Sequence, residues 1–165
     1  MKRRVVTLDE IRFRLLEGIG MTAYKSNEET PFTGKVEEFH EDGKKKAVGN
    51  FVDGRREGLW NEFWQNGHKR IETNYKGGVL DGIGTSWFSD GQLEEQGVLN
   101  EFGEWNGPYT AWWANGHKAQ EGDYKDGLQV GRWIFYNPSG KESYRSNCSG
   151  GEKFLIHPKW LNFWV

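Results

Sequence analysis

The chain is poor in cysteine and in long apolar runs, and each shortage excludes a class of protein. Cys148 is the one cysteine among 165 residues, so an intramolecular disulfide framework is excluded and a reducing compartment is favoured. No apolar run approaches the roughly 20 residues of a membrane-spanning helix, and the mean hydropathy is −0.85. The basic N-terminus lacks the apolar stretch of a signal peptide. We therefore predict a cytoplasmic location.

An excess of charge of one sign is also missing. The 22 basic and 24 acidic residues leave a net charge of −2, which disfavours a nucleic-acid binder that depends on bulk positive charge. The lysines at 44–46 lie beside Glu41 and Asp42 and indicate a solvated hairpin. No basic amphipathic face is evident for binding to a membrane surface. Neither a nucleic acid nor a membrane is therefore the expected partner.

Glycine and aromatic residues are abundant, with 23 Gly, 10 Phe, 9 Trp and 6 Tyr. The glycines occupy three registers in which the step is 24 residues, apart from one step of 25 that all three registers share. The hairpin-turn register is Gly43, Gly67, Gly91, Gly116 and Gly140, the return-turn register is Gly54, Gly78, Gly103, Gly127 and Gly151, and the third register is Gly34, Gly58, Gly82, Gly107 and Gly131. The extra residue lies between Gly91 and Gly103. Such periodicity is typical of a repeat protein.

Each repeat has the pattern of a β-hairpin followed by a short return connection. The hairpin-turn glycines follow Asp42, Asn66, Asp90, Asn115 and Ser139. Asp-Gly and Asn-Gly predict two-residue type I′ turns, in which both central residues have positive φ. The flanking runs mix aromatic, β-branched and polar residues without helical spacing, which indicates strands. Pairs such as Gly54 and Gly58 mark the return connections.

These features predict an all-β fold, an elongated and twisted antiparallel meander of about five β-hairpins in one structural domain. The repeats occupy residues 35–151. Residues 1–34 are predicted to form an N-terminal cap with a degenerate leading hairpin. The apolar residues 152–165 are predicted to form a C-terminal aromatic cap over an open sheet edge.

The start of the chain has two interpretations. Thr7 and Glu10 fit a capping box. Leu8, Ile11 and Leu15 follow helical spacing, which predicts a short N-terminal helix. Residues 11–15 also alternate between apolar and basic side chains, which fits a strand. Both interpretations stay open at this point.

Two sets of aromatic residues recur near the hairpin turns. The first set is aromatic in every repeat and is assigned to packing: Phe39, Phe63, Trp87, Trp112 and Tyr136. The second set is less regular and supplies the candidate partner-binding residues: Trp60, Trp64, Phe88, Tyr109, Trp113 and Trp133. Partly exposed Trp and Tyr are favoured at protein interfaces. Packing is the competing interpretation of the second set.

No pattern of residues predicts catalysis, a metal or a cofactor. His68 and His117 are two repeats apart, about 19 Å at four strand spacings, so one ion could not bind both. Cys148 has no partner thiol for a zinc site. Acidic residues are scattered over strand positions that we expect to be exposed: Glu62, Glu72, Glu94 and Glu121. A general acid or base needs burial or coupling. We therefore predict no catalytic residue and no enzymatic activity.

The repeats resemble MORN repeats, and specifically their bacterial variant. The shared pattern is Gly, any residue, an aromatic, two residues, Gly, three residues, Gly, and it stands at residues 122–131 (GDYKDGLQVG) and 49–58 (GNFVDGRREG). The copy at 73–82 begins with Thr73 instead of Gly. The copy that begins at Gly97 has Leu99 at the aromatic position. The resemblance covers roughly residues 20–151.

The resemblance implies a sheet of stacked hairpins, in agreement with the periodicity. For function it implies a non-enzymatic scaffold that binds a protein, since bacterial chains of this type are often labelled antitoxins of toxin–antitoxin modules. A toxin is then the implied partner. The alternative is a carbohydrate or cell-wall binding module that uses exposed aromatics. The oligomeric state is left open, because a fold shared by many roles specifies none of them.

Overall fold

The protein is nearly all β, as its repeats predict. The computed structural model describes residues 6–16 and 20–153, so residues 154–165 of the predicted C-terminal cap lie outside the described part of the chain. The chain divides into two compact units between Val79 and Leu80. Each unit contains an antiparallel meander of hairpin strands, which confirms the predicted fold class.

The first unit contains a four-stranded antiparallel meander and a separate two-stranded hairpin. Its strands are β1 (Val6–Thr7), β2 (Ile11–Leu16), β3 (Gly20–Lys25), β4 (Gly34–Phe39), β5 (Lys45–Val52), β6 (Arg55–Phe63) and β7 (Lys69–Lys76). Strands β4 to β7 pair in chain order, and β2 pairs with β3. The short strand β1 joins β4 in parallel through the pair Val6 and Val36.

The second unit is a meander in which each strand pairs with the next in the chain. Its strands are β9 (Gly82–Trp87), β10 (Leu93–Leu99), β11 (Trp105–Trp112), β12 (Lys118–Lys125), β13 (Leu128–Tyr136) and β14 (Glu142–Lys153), and the two-residue strand β8 (Val79–Leu80) lies where the units divide. All of the pairs from β9 to β14 are antiparallel.

The predicted N-terminal helix is wrong, although its capping box is present. The Glu10 carboxylate accepts hydrogen bonds from Thr7 N–H at 3.1 Å and from Thr7 Oγ1 at 3.2 Å. This box closes one 3₁₀ turn over Leu8–Glu10. The chain then enters strand β2, in which Phe13 pairs with Ala23. Pairing with β3 therefore overrides the helical spacing, and the alternating pattern is the one that the fold uses.

The hairpin turns differ from the predicted type I′ turns. In the turn after β6, Trp64 N–H donates to the His68 carbonyl and Gly67 N–H donates to the Trp64 carbonyl, each at 2.8 Å. These bonds enclose a three-residue loop in which Gly67 has φ +91° and Asn66 is not among the residues with positive φ. Asn66 instead accepts a bond from His68 N–H through Oδ1 at 3.0 Å. The Asp or Asn before the glycine therefore acts through its side chain, as in an Asx turn.

The type I′ geometry occurs at the return turns instead. Asp53 and Gly54 have φ +47° and +74°, and Asp126 and Gly127 have φ +50° and +75°. Each pair is the whole loop between two paired strand residues, such as Val52 and Arg55. Both registers thus carry Asp-Gly or Asn-Gly sequences, and the length of the loop decides which turn forms.

The extra residue of the glycine lattice lies in the return turn between β10 and β11. There Asn100 N–H donates to the Glu104 carbonyl at 2.8 Å, and Gly103 N–H donates to the Asn100 carbonyl at 3.0 Å. The loop consequently has three residues, Glu101, Phe102 and Gly103, where the neighbouring return turns have two. The insertion is absorbed by a change of turn type, since the register shift between Gly97 and Leu99 in this pair has its counterpart between Val48 and Asn50 in the first unit.

Aromatic rings form the core of the first unit. Phe51 and Trp60 are each 2 % exposed, with ring centroids 5.2 Å apart and rings nearly perpendicular. Trp60 Nε1–H donates to the Asn50 carbonyl at 3.2 Å. Phe13 of β2 packs on Phe51 at a centroid distance of 6.1 Å, so the β2–β3 hairpin contributes to this core. Edge-to-face pairs of this kind stabilise beyond their buried area.

A second ring cluster forms the core of the second unit. Trp133 is fully buried, and Tyr109 and Tyr124 are 7 % and 8 % exposed. The centroid distance is 5.1 Å between the two tyrosines and 4.9 Å between Tyr124 and Trp133. Trp133 Nε1–H donates to the Asp123 carbonyl at 3.1 Å. The unit therefore buries this indole with its polar atom satisfied.

The first glycine of the motif makes room for these tryptophans. A Cβ at Gly49 would lie 2.1 Å from the Trp60 ring, and a Cβ at Gly122 would lie 2.4 Å from Trp133 Cδ2. Both distances are far inside van der Waals contact. Glycine is required at these positions because an indole from the next strand lies flat over the backbone.

Candidate functional site

Three of the six predicted partner-binding residues lie in the core. Trp60 is 2 % exposed, Tyr109 is 7 % exposed and Trp133 is fully buried. These rings have no surface to offer a partner, so the structure corrects their assignment from binding to packing. Their burial follows from the glycine opposite each ring, at Gly49 and Gly122 in the cases of the two tryptophans.

The other three candidates stay accessible, because they are the first residues of hairpin turns. Trp113 is 39 % exposed, and its Nε1–H donates to the Tyr136 carbonyl at 3.1 Å. Trp64 is half-buried beneath the Arg70 guanidinium, 5.0 Å from its ring centroid, and Phe88 is half-buried at the equivalent turn position. A role in partner binding stays a prediction for Trp64, Phe88 and Trp113.

The column that was assigned to packing is the more exposed of the two, which is a second correction. Phe39 is 43 % exposed, and the other members are half-buried: Phe63, Trp87, Trp112 and Tyr136. Regularity along the sequence therefore does not mark the core here. Each ring of this column occupies the last strand position before its turn, where a lysine is the register partner of Phe39, Phe63 and Trp112.

In the second unit this column belongs to the sheet face opposite Tyr109 and Trp133. We call it the outer face and define it by Ile83, Trp87, Val98, Trp112, Ile134 and Tyr136. Neighbouring strand residues point to opposite faces, and register pairs link Ile83 to Val98 and Trp112 to Lys118. Ile83 is 58 % exposed. The outer face is therefore a partly apolar surface that is open to solvent in the described residues.

A charged network fixes the outer face near its turn end. The Glu121 carboxylate accepts hydrogen bonds from Lys118 Nζ and from the Tyr136 hydroxyl, which ties together β12 and β13. The bond from Lys118, followed by that from Tyr136, lowers the pKa of Glu121. The same carboxylate raises the pKa of Tyr136. Both groups therefore keep their ordinary charge at neutral pH and hold the tyrosine ring in place.

One acidic residue that we expected to be exposed is largely buried. The Glu62 side chain is 16 % exposed and forms an ion pair with Arg70 at 3.1 Å. Burial raises the pKa of Glu62 to about 7, although Arg70 opposes the shift. The burial of Glu62 could be predicted only in part from the sequence. Strand alternation places Glu62 on the same face as Trp60, but its neighbours Ala47 and Ile71 are brought beside it by strand pairing.

A second buried carboxylate lies in the core of the second unit. Glu95 is 8 % exposed, and its Oε2 accepts a hydrogen bond from the Tyr109 hydroxyl at 2.7 Å. Burial, followed by the charge of Glu95, raises the pKa of Tyr109. This pair could not be predicted from the sequence, because the two residues are 14 positions apart and meet only through the pairing of β10 with β11.

The described residues contain no group of three or more His, Cys, Asp or Glu side chains that could hold a metal ion. Cys148 is half-buried on β14, with its Sγ 3.8 Å from Gln129 Oε1. Within residues 6–16 and 20–153, no helix is long and apolar enough to cross a membrane.

Comparison with known families agrees with the hairpin as the repeating element. A family model described as MORN repeat variant matches residues 32–53, 56–76 and 105–126. Each match begins near the start of one strand, crosses a hairpin turn and ends with the next strand. These three segments of the chain match the MORN repeat. No curated protein matches the chain. MORN repeats are non-enzymatic modules that commonly bind proteins or membranes, and the match supports nothing finer.

Proposed function

We propose that this MORN-repeat protein is a non-enzymatic scaffold that binds a protein partner through the outer face of its second unit. The proposal is supported by one observation above the others: Trp87, Trp112 and Tyr136 stay half-exposed at the end of adjoining hairpins. Trp and Tyr are enriched among the residues that dominate binding energy at interfaces. Ile83 and Val98 extend the apolar surface along the same face.

The aromatic side chains are held in place before a partner arrives. Tyr136 is fixed by its bond to Glu121, and Trp113, at the adjacent turn, is fixed by its bond to the Tyr136 carbonyl. An immobilised side chain loses less conformational entropy on binding than a mobile one, at about 0.5–1.5 kcal/mol per side chain. This pre-organisation favours a specific contact over non-specific adhesion.

The class of partner that we propose is a folded protein, and a toxin neutralised by the scaffold is its finer form. That finer form, together with a cytoplasmic location, comes from the resemblance and the composition. Carbohydrate binding is the alternative prediction, and no observation favours it over a protein partner. We therefore place the protein partner first.

Co-expression with the products of neighbouring genes tests the proposal. We expect one product to form a stable complex in size-exclusion chromatography with light scattering, and Trp112→Ala to weaken its affinity at least ~10-fold. Phe63→Ala is the matched control, because Phe63 has the equivalent strand position and lysine partner in the first unit. A complex that tolerates Trp112→Ala, or equal losses for both variants, would refute the outer face as the site. Rescue of growth from a toxic neighbour tests the toxin form.

A further inference from the structure

The most exposed large apolar side chain of the described residues lies where the repeat lattice is broken. Phe102 is 69 % exposed, and it belongs to the three-residue return loop that absorbs the extra residue of the lattice. A single exposed apolar residue needs no explanation by itself. Here the exposure coincides with an insertion, so the residue that breaks the periodicity is also the one that faces solvent.

The loop presents Phe102 on a fixed backbone. Asn100 Oδ1 accepts hydrogen bonds from Phe102 N–H at 3.1 Å and from Glu104 N–H at 2.9 Å. Two backbone bonds between Asn100 and the residues Gly103 and Glu104 close the loop. The ring therefore projects from a closed turn, and little backbone entropy remains to be lost on binding.

The surroundings of Phe102 carry an excess of negative charge. Glu101 and Glu104 belong to the same loop. Asp126 belongs to the next return turn, which lies alongside, because a Cβ at Gly127 would be 3.7 Å from Glu104 Cβ. Lys125 is the one basic residue of these two turns. An apolar ring among three carboxylates and one lysine is complementary to an apolar pocket that is bordered by Lys or Arg.

We infer that Phe102 is an anchor residue for a protein partner whose surface has an apolar pocket with a basic rim. The inference rests on the proposed protein-binding function and adds a second contact to it. Strand β10 connects the hairpin turn before Leu93 to the return loop after Leu99, so this contact lies at the opposite strand end from Trp112. A partner that reaches both would span the strand length of the second unit.

The test begins with a photocrosslinker at position 102. The full chain carrying p-benzoylphenylalanine in place of Phe102 is irradiated in the cells that produce it, and a second chain carries it in place of Tyr144, which is 56 % exposed in the same unit. We expect one protein to crosslink at 102 and not at 144. Absence of such an adduct would overturn the inference.

The adduct counts as support only after the captured protein has been purified and titrated. We expect Phe102→Ala to weaken its affinity at least ~10-fold, with Tyr144→Ala as the unaffected control. Glu101→Lys should slow association several-fold at low salt and less at high salt. Unchanged affinity for Phe102→Ala overturns the anchor. If Trp112→Ala abolishes the complex and Phe102→Ala does not, this inference fails while the proposed function stands; the opposite pattern refutes the outer face alone.

Discussion

The close contact between the Trp133 ring and the backbone of Gly122 allows the sharpest test of how these repeats pack. We predict that Gly122→Ala destabilises the second unit, because a Cβ at this position would lie 2.4 Å from Trp133 Cδ2. Trp133 is fully buried and its Nε1–H is bonded to the Asp123 carbonyl. The ring must therefore move by about 1 Å, away from the well-packed position, to restore normal carbon–carbon contact.

The expected cost follows from the balance of two effects. Overpacking a filled core costs about 1–3 kcal/mol, whereas replacing a strand glycine by alanine gains roughly 0.5–1 kcal/mol of backbone entropy. Because the indole is also hydrogen-bonded, we expect the overpacking to dominate, with a net loss of about 2 kcal/mol in the free energy of unfolding. Gly131→Ala is the matched control: its φ is +63° and a Cβ there meets nothing within 4 Å. It should cost about 1 kcal/mol through backbone strain alone.

A double-mutant cycle separates the clash from other effects. In a Trp133→Leu background the indole is absent, so the cost of Gly122→Ala should fall by the whole overpacking contribution, about 3 kcal/mol. Native-state hydrogen exchange of the β12 and β13 amides measures the free energy of unfolding of this unit directly. The reasoning is refuted if Gly122→Ala costs no more than Gly131→Ala, or if its cost is the same in the Trp133→Leu background.

Two further predictions concern charge and turn geometry. Burial raises the pKa of Glu62 to about 7 from an unfolded value near 4.5, so its contribution to stability is complete below the unfolded pKa and is lost as the pH rises through 7. The free energy of unfolding of the first unit, measured by hydrogen exchange, should fall by about 2 kcal/mol between pH 5 and pH 8 in the wild type. Glu62→Gln should remove this slope, and Glu72→Gln, at a half-buried carboxylate paired with Lys69, should keep it. A slope that survives Glu62→Gln would contradict the assignment. At the return turn, Asp126 has φ +50°, so Asp126→Val should cost at least ~1 kcal/mol, whereas Asp126→Gly should change stability by only a few tenths. Equal thermal denaturation midpoints for these two variants would contradict the type I′ geometry.

The repeat and the strand class could be predicted from the sequence, because both depend on local spacing. A hairpin needs a glycine with positive φ at a fixed position, and Gly67, at φ +91°, shows this constraint directly. The type of each turn could not be predicted in the same way. Asn66-Gly67 and Asp126-Gly127 are the same kind of dipeptide, and the pairing of the flanking strands decides that the first has a three-residue loop and the second a two-residue loop.

The two aromatic sets show the limit of the same reasoning at the candidate site. Regular recurrence suggested that Phe39 and its column form the core, but Phe39 is 43 % exposed and Trp133 is buried. A core ring needs space on the adjoining strand as well as a strand face. Gly122 provides that space for Trp133, and the pairing of β12 with β13 is what brings the two together.

The sequence by itself determined the hairpin repeat, its period and the place of its one insertion. Each turn needs a glycine with positive φ, and that requirement involves only a few neighbouring residues. The tertiary structure alone decided which rings are buried and why Glu62 has a raised pKa. Those properties depend on pairs such as Trp133 with Gly122 and Glu62 with Ala47, which are distant along the chain. Strand pairing brings such residues into contact, and the exposed fraction of each side chain depends on that pairing.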